Sequence, residues 1–293
     1  MGLSSYPSKV TMPNAEKPYP SILGFLHGRF PHLPQQSWEN RISAGKVLDE
    51  AGRPITSATL YTPGKRIYYF REVEQEPLIP FSETILFQNE EILVACKPHF
   101  LPVTPGGPYV DECLLNRLRK RTGNHELAPL HRIDRETAGI VLFSANSKTR
   151  GRYSELFRRG SIEKSYEALA ECTDKPGTGE WLVENRIVPG QPWFRMTTAP
   201  GKANARSLIR LVATRDKTGR FLLQPVTGKT HQLRIHMSGL GFKILNDRYY
   251  PELQPEQADD FAMPLQLIAR MVRFNDPVTG KKMEFRSARE LSA

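Results

Sequence analysis

Pro129-Leu130-His131-Arg132-Ile133-Asp134-Arg135-Glu136-Thr137-Ala138-Gly139 runs straight into Ile140-Val141-Leu142-Phe143. The apolar run reads as a buried strand. The polar stretch before it sets one carboxylate, Asp134, between Arg132 and Arg135 at the strand's lip. Flanking cations favour the ionised form and a strand end fixes position, so Asp134 reads as a positioned anionic nucleophile. Taken alone, an Asp between arginines is more often a surface ion pair or a turn former. A kinase-type catalytic loop does not fit, because Ile133 separates His131-Arg132 from Asp134 and no Asp-Phe-Gly or Gly-rich phosphate loop follows.

Two further stretches carry chemistry. Thr227-Gly228-Lys229-Thr230-His231-Gln232-Leu233-Arg234-Ile235-His236 contains Gly-Lys-Thr, but the first glycine of a P-loop would fall at Leu223, so no P-loop forms. Thr230 instead reads as the cap of a helix with Leu233, Met237 and Leu240 on one face and Arg234 a turn in, ended by Gly239 or Gly241. Lys164 to Ala170 alternates as a strand, with Tyr166, Ala168 and Ala170 on one side.

The chain has 293 residues, 39% hydrophobic, with 41 Lys+Arg against 31 Asp+Glu and a net charge of +10. That length accommodates two domains, and that charge would concentrate a polyanion. Nucleic acid is the natural partner. No apolar run reaches the roughly 20 residues of a membrane span, and the first residues lack the pattern of a signal peptide, so a soluble, cytoplasmic protein is expected. A monomer is expected as well. Cys96, Cys113 and Cys172 form no CxxC pair and the seven histidines no HExxH. Reduced thiols and no metal are expected.

Residues 1–20 read as an arm. Residues 21–73 hold two short helices (Ile22, Leu23, Leu26; then Gln36 to Ala44), a hairpin around Gly52, and a strand entered through Pro63-Gly64. Residues 74–82 read as a linker and 83–293 as the second domain. There, Ile85-Leu86-Phe87 and Ile92-Leu93-Val94-Ala95 form a hairpin. Asp111 caps a helix with Leu114, Leu115 and Leu118 inside and Arg117, Arg119, Lys120 and Arg121 pointing away, and Asn146 or Ser147 caps a second. On that second helix Tyr153, Leu156 and Phe157 face inward, and Lys148, Arg150, Arg152, Arg158 and Arg159 form a basic crowd suited to phosphate. Residues 181–188, 193–198, 205–214 and 221–226 read as strands, and residues 251–264 as a loop beside the cleft.

The central segment resembles the His-Arg-Leu-Asp-Arg-x-Thr-Ser-Gly-Leu motif of the RluA-type pseudouridine synthases, with Ile133 for Leu and Ala138 for Ser. Lys164-Ser165-Tyr166-Glu167-Ala168 resembles the family's Lys-x-Tyr-x-Ala, with Glu171 at the usual Gly. Residues 227–236 resemble Thr-Gly-Arg-Thr-His-Gln-Ile-Arg-Val-His. The continuation to Asp247 and Tyr250 also matches, with Asn246 for Gly. Lys97-Pro98 opens a segment similar to the family's Asn-Lys-Pro entry, with Phe100 where Gly is usual, and Ile268 stands where His is common. Residues 21–73 resemble a small ribosomal-protein-like RNA-binding domain.

The resemblance implies an α+β fold: a central mixed, mostly antiparallel sheet flanked by helices and loops, with a small N-terminal RNA-binding-like domain. It implies conversion of uridine to pseudouridine in ribosomal RNA or tRNA, with no cofactor. Asp134 would be the nucleophile, Tyr166 would stack on the uracil, and Arg234 would pair with Asp134 in bidentate fashion. Arg132 would fill the space left by the flipped base. His131, Arg135, Lys164, Lys229, Thr230 and His231 complete the expected RNA-contacting set. Asp247, the motif-linked candidate for a second, glycosidase-like carboxylate, is read as structural. The rival reading is a non-catalytic RNA-binding protein with a synthase-like fold.

Overall fold

In the computed structural model the chain divides into two compact units, Met1–Pro77 with Pro105–Asp111, and Leu78–Thr104 with Glu112–Ala293. The structure describes residues 2–14, 19–31, 33–172 and 179–292. The break after Pro77 falls inside the expected linker. The return of residues 105–111 to the first unit was not foreseen. Its cause is local: the Glu76 carboxylate accepts the backbone N–H groups of Val110 and Asp111 at 2.6 and 2.7 Å, and Arg71 donates to the Gly107 carbonyl at 2.9 Å.

The first unit contains β1 (Gly2–Leu3), β2 (Ser8–Thr11), α1 (Ile22–Arg29), α2 (Gln35–Ser43), β3 (Val47–Leu48), β4 (Arg66–Tyr69) and β5 (Glu72–Val73). Both helices lie where the sequence places them, and Ser21 caps α1 by accepting the Gly24 N–H at 3.2 Å. Residues 2–14 are not an arm. β2 pairs with β4, β1 pairs with β5, and Met12 joins the core of Phe25, Leu26, Trp38, Val47 and Ile67. Alternating Val10 and Met12 supply the apolar face that an arm would lack. Residues 15–18 of the expected arm lie outside the described residues.

The second unit contains β6 (Thr84–Gln88), β7 (Ile92–Lys97), α3 (Leu114–Thr122), β8 (Ala128–Pro129), β9 (Ala138–Ser144), α4 (Arg150–Arg158), β10 (Glu163–Glu171), β11 (Gly179–Pro189), β12 (Met196–Ala199), β13 (Ala205–Arg215), β14 (Thr218–Pro225), α5 (Gln232–Gly239), β15 (Leu267–Asn275) and β16 (Lys282–Arg286). One sheet runs β12-β11-β13-β14-β10-β15-β9-β7-β6, with β16 beside β15 and β8 beside β9. The largely apolar β7 and β9 are buried along their whole length on both faces, while β11 and β13 alternate because one face meets water. Among the described residues only β9 and β15 pair in parallel, Ala138 with Ile268 and Gly139 with Ala269. This is the expected mixed, mostly antiparallel α+β architecture.

Local expectations failed at the ends of elements. α3 starts after Cys113 rather than at Asp111, and α4 after Thr149 rather than Asn146 or Ser147, in both cases without a side-chain cap bond. Arg117 does not point away: its guanidinium donates to the Phe81 and Ile79 carbonyls at 2.6 and 2.8 Å and pairs with Glu112. Arg158 and Arg159 of the basic crowd pair with Glu155. The strand expected from residue 193 begins at Met196, because the chain first turns: Arg195 N–H bonds to Pro192 O and Gly190 N–H to Arg195 O.

Candidate active site

Asp134 sits on the loop entering β9, and that loop is pinned on both sides. The buried Lys97, at the end of β7, sends its ammonium to three backbone carbonyls, Pro98 at 3.0 Å, Leu101 at 2.6 Å and Arg135 at 2.9 Å. His99 Nδ1 lies 2.6 Å from the Glu136 carbonyl. On the other flank His131 Nε2 accepts the Leu142 N–H at 3.1 Å, and its ring stacks on Phe157. Burial, with help from the Lys164 charge, pushes His131 down to about 3, so the ring is a neutral fastener rather than an acid. Burial drives Lys97 down to about 7, against the pull of the Glu136 and Asp134 carboxylates.

Arg234 lies in the first turn of α5 and is buried. Its fork is not on Asp134, as expected, but on Asp247: Nε donates to Oδ2 at 2.9 Å and Nη2 to Oδ1 at 2.6 Å. The remaining nitrogen, Nη1, faces Asp134 Oδ2 at 3.5 Å and Glu136 Oε2 at 3.7 Å. Asp247 also accepts the N–H groups of Tyr249 and Tyr250 at 2.8 and 3.1 Å, and the guanidinium lies over both rings, 4.8 and 5.5 Å from their centroids. A buried cation is thereby held by one buried anion, with one face left over for the loop. Glu136 is pushed up by burial, but Arg135, Arg234 and Lys97 outweigh this and hold it below the usual carboxylate range.

Thr230 does not cap α5. His231 occupies the cap position with a left-handed φ of 54°, its Nδ1 2.9 Å from the Tyr250 hydroxyl and its Nε2 4.0 Å from Asp134 Oδ1. Gln232 closes the turn instead. Its amide oxygen accepts from Lys229 N and Thr227 Oγ1 at 3.0 and 2.7 Å, and its nitrogen reaches Arg206 O and Ser207 Oγ at 2.9 and 2.8 Å. Lys229 and Thr230 are left exposed at the tip.

The sheet brings Tyr166 to the same place. It pairs with Ala269, which pairs with Gly139, five residues after Asp134, and a register shift beside Ser165 re-aims it. Gly139 has a φ of 111°, and a Cβ there would come within 2.2 Å of the Ala269 carbonyl, so only glycine permits this pairing. Burial and the Asp134 charge push the Tyr166 hydroxyl up, so it stays protonated.

The other expected contacts divide. Arg132 is exposed and makes no hydrogen bond or ion pair among the described residues. Arg135 is already engaged, bidentate to Asp259 at 2.6 and 3.0 Å in the 251–264 loop. Lys164 is half-buried beside Gly228 and pushed down by burial. Sequence reasoning did not assign work to Lys97, Gln232, Asp259, Tyr249 or Tyr250. A lysine closing an apolar strand was the available signal for Lys97 alone.

The motif departures are accommodated. Phe100 takes a φ of 65°, unusual for a bulky side chain, with its ring against Phe261 and Phe81. Asn246 keeps the left-handed turn at 62° and donates to the Pro264 carbonyl at 2.9 Å.

A family model described as RNA pseudouridylate synthase matches residues 91–239, which spans the Asp134 loop, Tyr166 and Arg234. A dual-specificity RNA pseudouridine synthase RluA of Salmonella typhimurium is 31% identical over 216 residues, 72% of this chain and 94% of that protein. An uncharacterised RNA pseudouridine synthase of Synechocystis is 29% identical over 231 residues, 78% of this chain and 79% of that protein. The solved human RNA pseudouridylate synthase domain containing 4 superposes with a TM-score of 0.54 at 26% identity, covering 71% of this chain and 88% of that one. The carboxylate loop, the strand tyrosine and the buried arginine thus fall in the matched region, on the matched fold, and the chain belongs to the RluA-type pseudouridine synthases, isomerases that act on RNA.

Proposed function

We propose that Asp134 is the nucleophile that converts selected uridines of ribosomal RNA or tRNA to pseudouridine, with the protein acting as a monomer in the cytoplasm. The observation that carries this reading is a carboxylate that is 23% exposed at the mouth of a pinned loop, with the Nη1 of a buried arginine 3.5 Å behind it. An ionised, oriented carboxylate is what attack or leaving-base stabilisation at the sugar carbon requires. The bond from that carbon to N1 breaks, the uracil turns, and a bond to carbon 5 forms while carbon 5 loses its proton and N1 gains one. Tyr166 stacks on the uracil. The target base must leave its stack, and the exposed Arg132 beside Asp134 fills the gap. Residues 21–73 add RNA-binding surface.

Asp134→Asn is nearly isosteric and leaves the cationic residues in place. RNA binding should persist within about tenfold, whereas pseudouridine formation should cease. The assay is tritium release from carbon 5 of labelled uridine in bulk tRNA and ribosomal RNA, run beside a filter-binding titration. Equal release by parent and variant would remove Asp134 from the chemistry. Absence of release by the parent from both pools would favour a binding protein.

A further inference from the structure

The turn between β11 and β12 carries a tryptophan that the catalytic argument does not use. Trp193 leaves 83% of its surface exposed. The three residues after it are tied to the wall of the active site. Phe194 packs on Tyr249 with ring centroids 5.3 Å apart. Arg195 lies 5.0 Å over the Tyr250 ring, and its Nη2 donates to the Pro251 carbonyl at 2.9 Å. Met196 gives its N–H to the Tyr250 hydroxyl at 2.8 Å and accepts that hydroxyl at its carbonyl at 3.1 Å. Tyr249 and Tyr250 are the rings against Arg234, which faces Asp134. Phe194 in turn braces the indole edge to face, at 5.9 Å and 84°.

A large apolar ring held in water by a firmly anchored turn contributes little to folding, and beside a catalytic site it marks a contact surface. The substrate class supplies a matching surface. A uridine that must be flipped out lies in RNA whose neighbouring bases are unpaired or readily unstacked, and such bases stack on exposed aromatic side chains with little regard to sequence. The Arg195 guanidinium on the same turn, and a chain carrying +10 overall, favour a polyanion over a protein partner at this rim.

We propose that Trp193 is a substrate-binding platform on which an unpaired nucleobase flanking the reacting uridine stacks. The proposal rests on the RNA-isomerase reading above. It makes Trp193 a binding residue, so its removal weakens capture of RNA without slowing the chemistry.

The test compares the parent with Trp193→Ala and Trp193→Phe, using tritium release from bulk tRNA and ribosomal RNA and the quenching of tryptophan emission by the same RNAs. Trp38 is buried and Trp181 half-buried, so Trp193 is the indole most open to a base. Trp193→Ala should raise KM about tenfold and leave kcat within about twofold. Trp193→Phe still stacks, so it should keep KM within about threefold while losing most of the RNA-induced quenching. An unchanged KM in the Ala variant of an active parent would sink the platform and leave the enzyme reading intact. A fall in kcat at constant KM would overturn it too, by showing that the ring only props the Tyr249 wall. A parent that elutes as a dimer and becomes a monomer on Trp193→Ala would assign the surface to a second copy of the chain. A parent inactive on both pools would remove the enzyme reading and the proposal together.

Discussion

Asp134 and Asp247 both lie within reach of one guanidinium, yet the side chain of the first is 23% exposed and that of the second 1%. The 130–137 loop presents its carboxylate toward solvent and is held by backbone contacts from Lys97, His99 and Leu142. The 227–250 region buries its carboxylate under the Arg234 fork and two tyrosine N–H groups. A charge meant to react has to stay reachable, whereas one meant to hold a neighbour gains from leaving water only if every lone pair is used. The same residue type is therefore held in opposite ways, one carboxylate open to solvent and the other enclosed, around a single guanidinium.

The sharpest way to break this contrast is to make one substitution in both places. Asp247→Asn strips a buried cation of its partner and should cost about 3–5 kcal/mol of stability, read as a lower denaturant midpoint. Asp134→Asn should change stability by less than about 1 kcal/mol while abolishing turnover. Equal midpoints for the two variants would mean that the regions do not differ as described.

Arg234→Lys keeps the charge but loses the planar fork, so one ammonium cannot serve Asp247 and Asp134 together. The rate should fall by at least about a hundredfold, close to 3 kcal/mol, with the variant still folded by circular dichroism. A rate within about threefold of the parent would show that the fork is not needed to aim Asp134.

The neutral fastener on the loop gives a prediction in pH. Because His131 is held near 3 when folded and titrates around 6.5 when unfolded, the unfolded chain binds the extra proton first. Its contribution is intact above about 6.5 and is lost as pH falls from there toward 3, by up to about 1.4 kcal/mol per pH unit. His99 and His236, both held near 4, act in the same direction. His131→Gln can still accept the Leu142 N–H, so its denaturant midpoint should decline less than the parent's between pH 6.5 and 5. Parallel declines would place the acid sensitivity elsewhere.

The smallest effect concerns RNA capture. The exposed Arg132 has no hydrogen-bond or ion-pair partner among the described residues, whereas Arg135 is bound to Asp259. Arg132→Gln should lower the slope of log Kd against log salt by about 0.7, as for one single-strand phosphate contact, and Arg135→Gln by less. The reverse order would mean that Asp259 releases Arg135 to the RNA.

Much of this could be read from the chain. The apolar runs at 92–95 and 140–143 announced strands, the second of them a buried one, and in the fold both lie in strands buried on both faces. The resemblance of three motifs to one family implied that Asp134, Tyr166 and Arg234 share a site, and the fold brings the three side chains together. Helix caps were misread at Asp111, Asn146 and Thr230, because a capping side chain and a turn-forming one look alike in sequence and tertiary contacts choose between them.

By itself, then, the sequence determined which groups were candidates for chemistry and which segments had to be buried, because both follow from residue type and spacing. Only the tertiary structure decided how those groups are shared. Arg234 could have offered its fork to either carboxylate, and the outcome turned on Tyr249, Tyr250 and their N–H groups converging on Asp247. Lys97 could have been any strand-end lysine until three carbonyls from residues 98, 101 and 135 closed around it. Desolvation depends on what packs against a group from distant parts of the chain, and no local pattern encodes that.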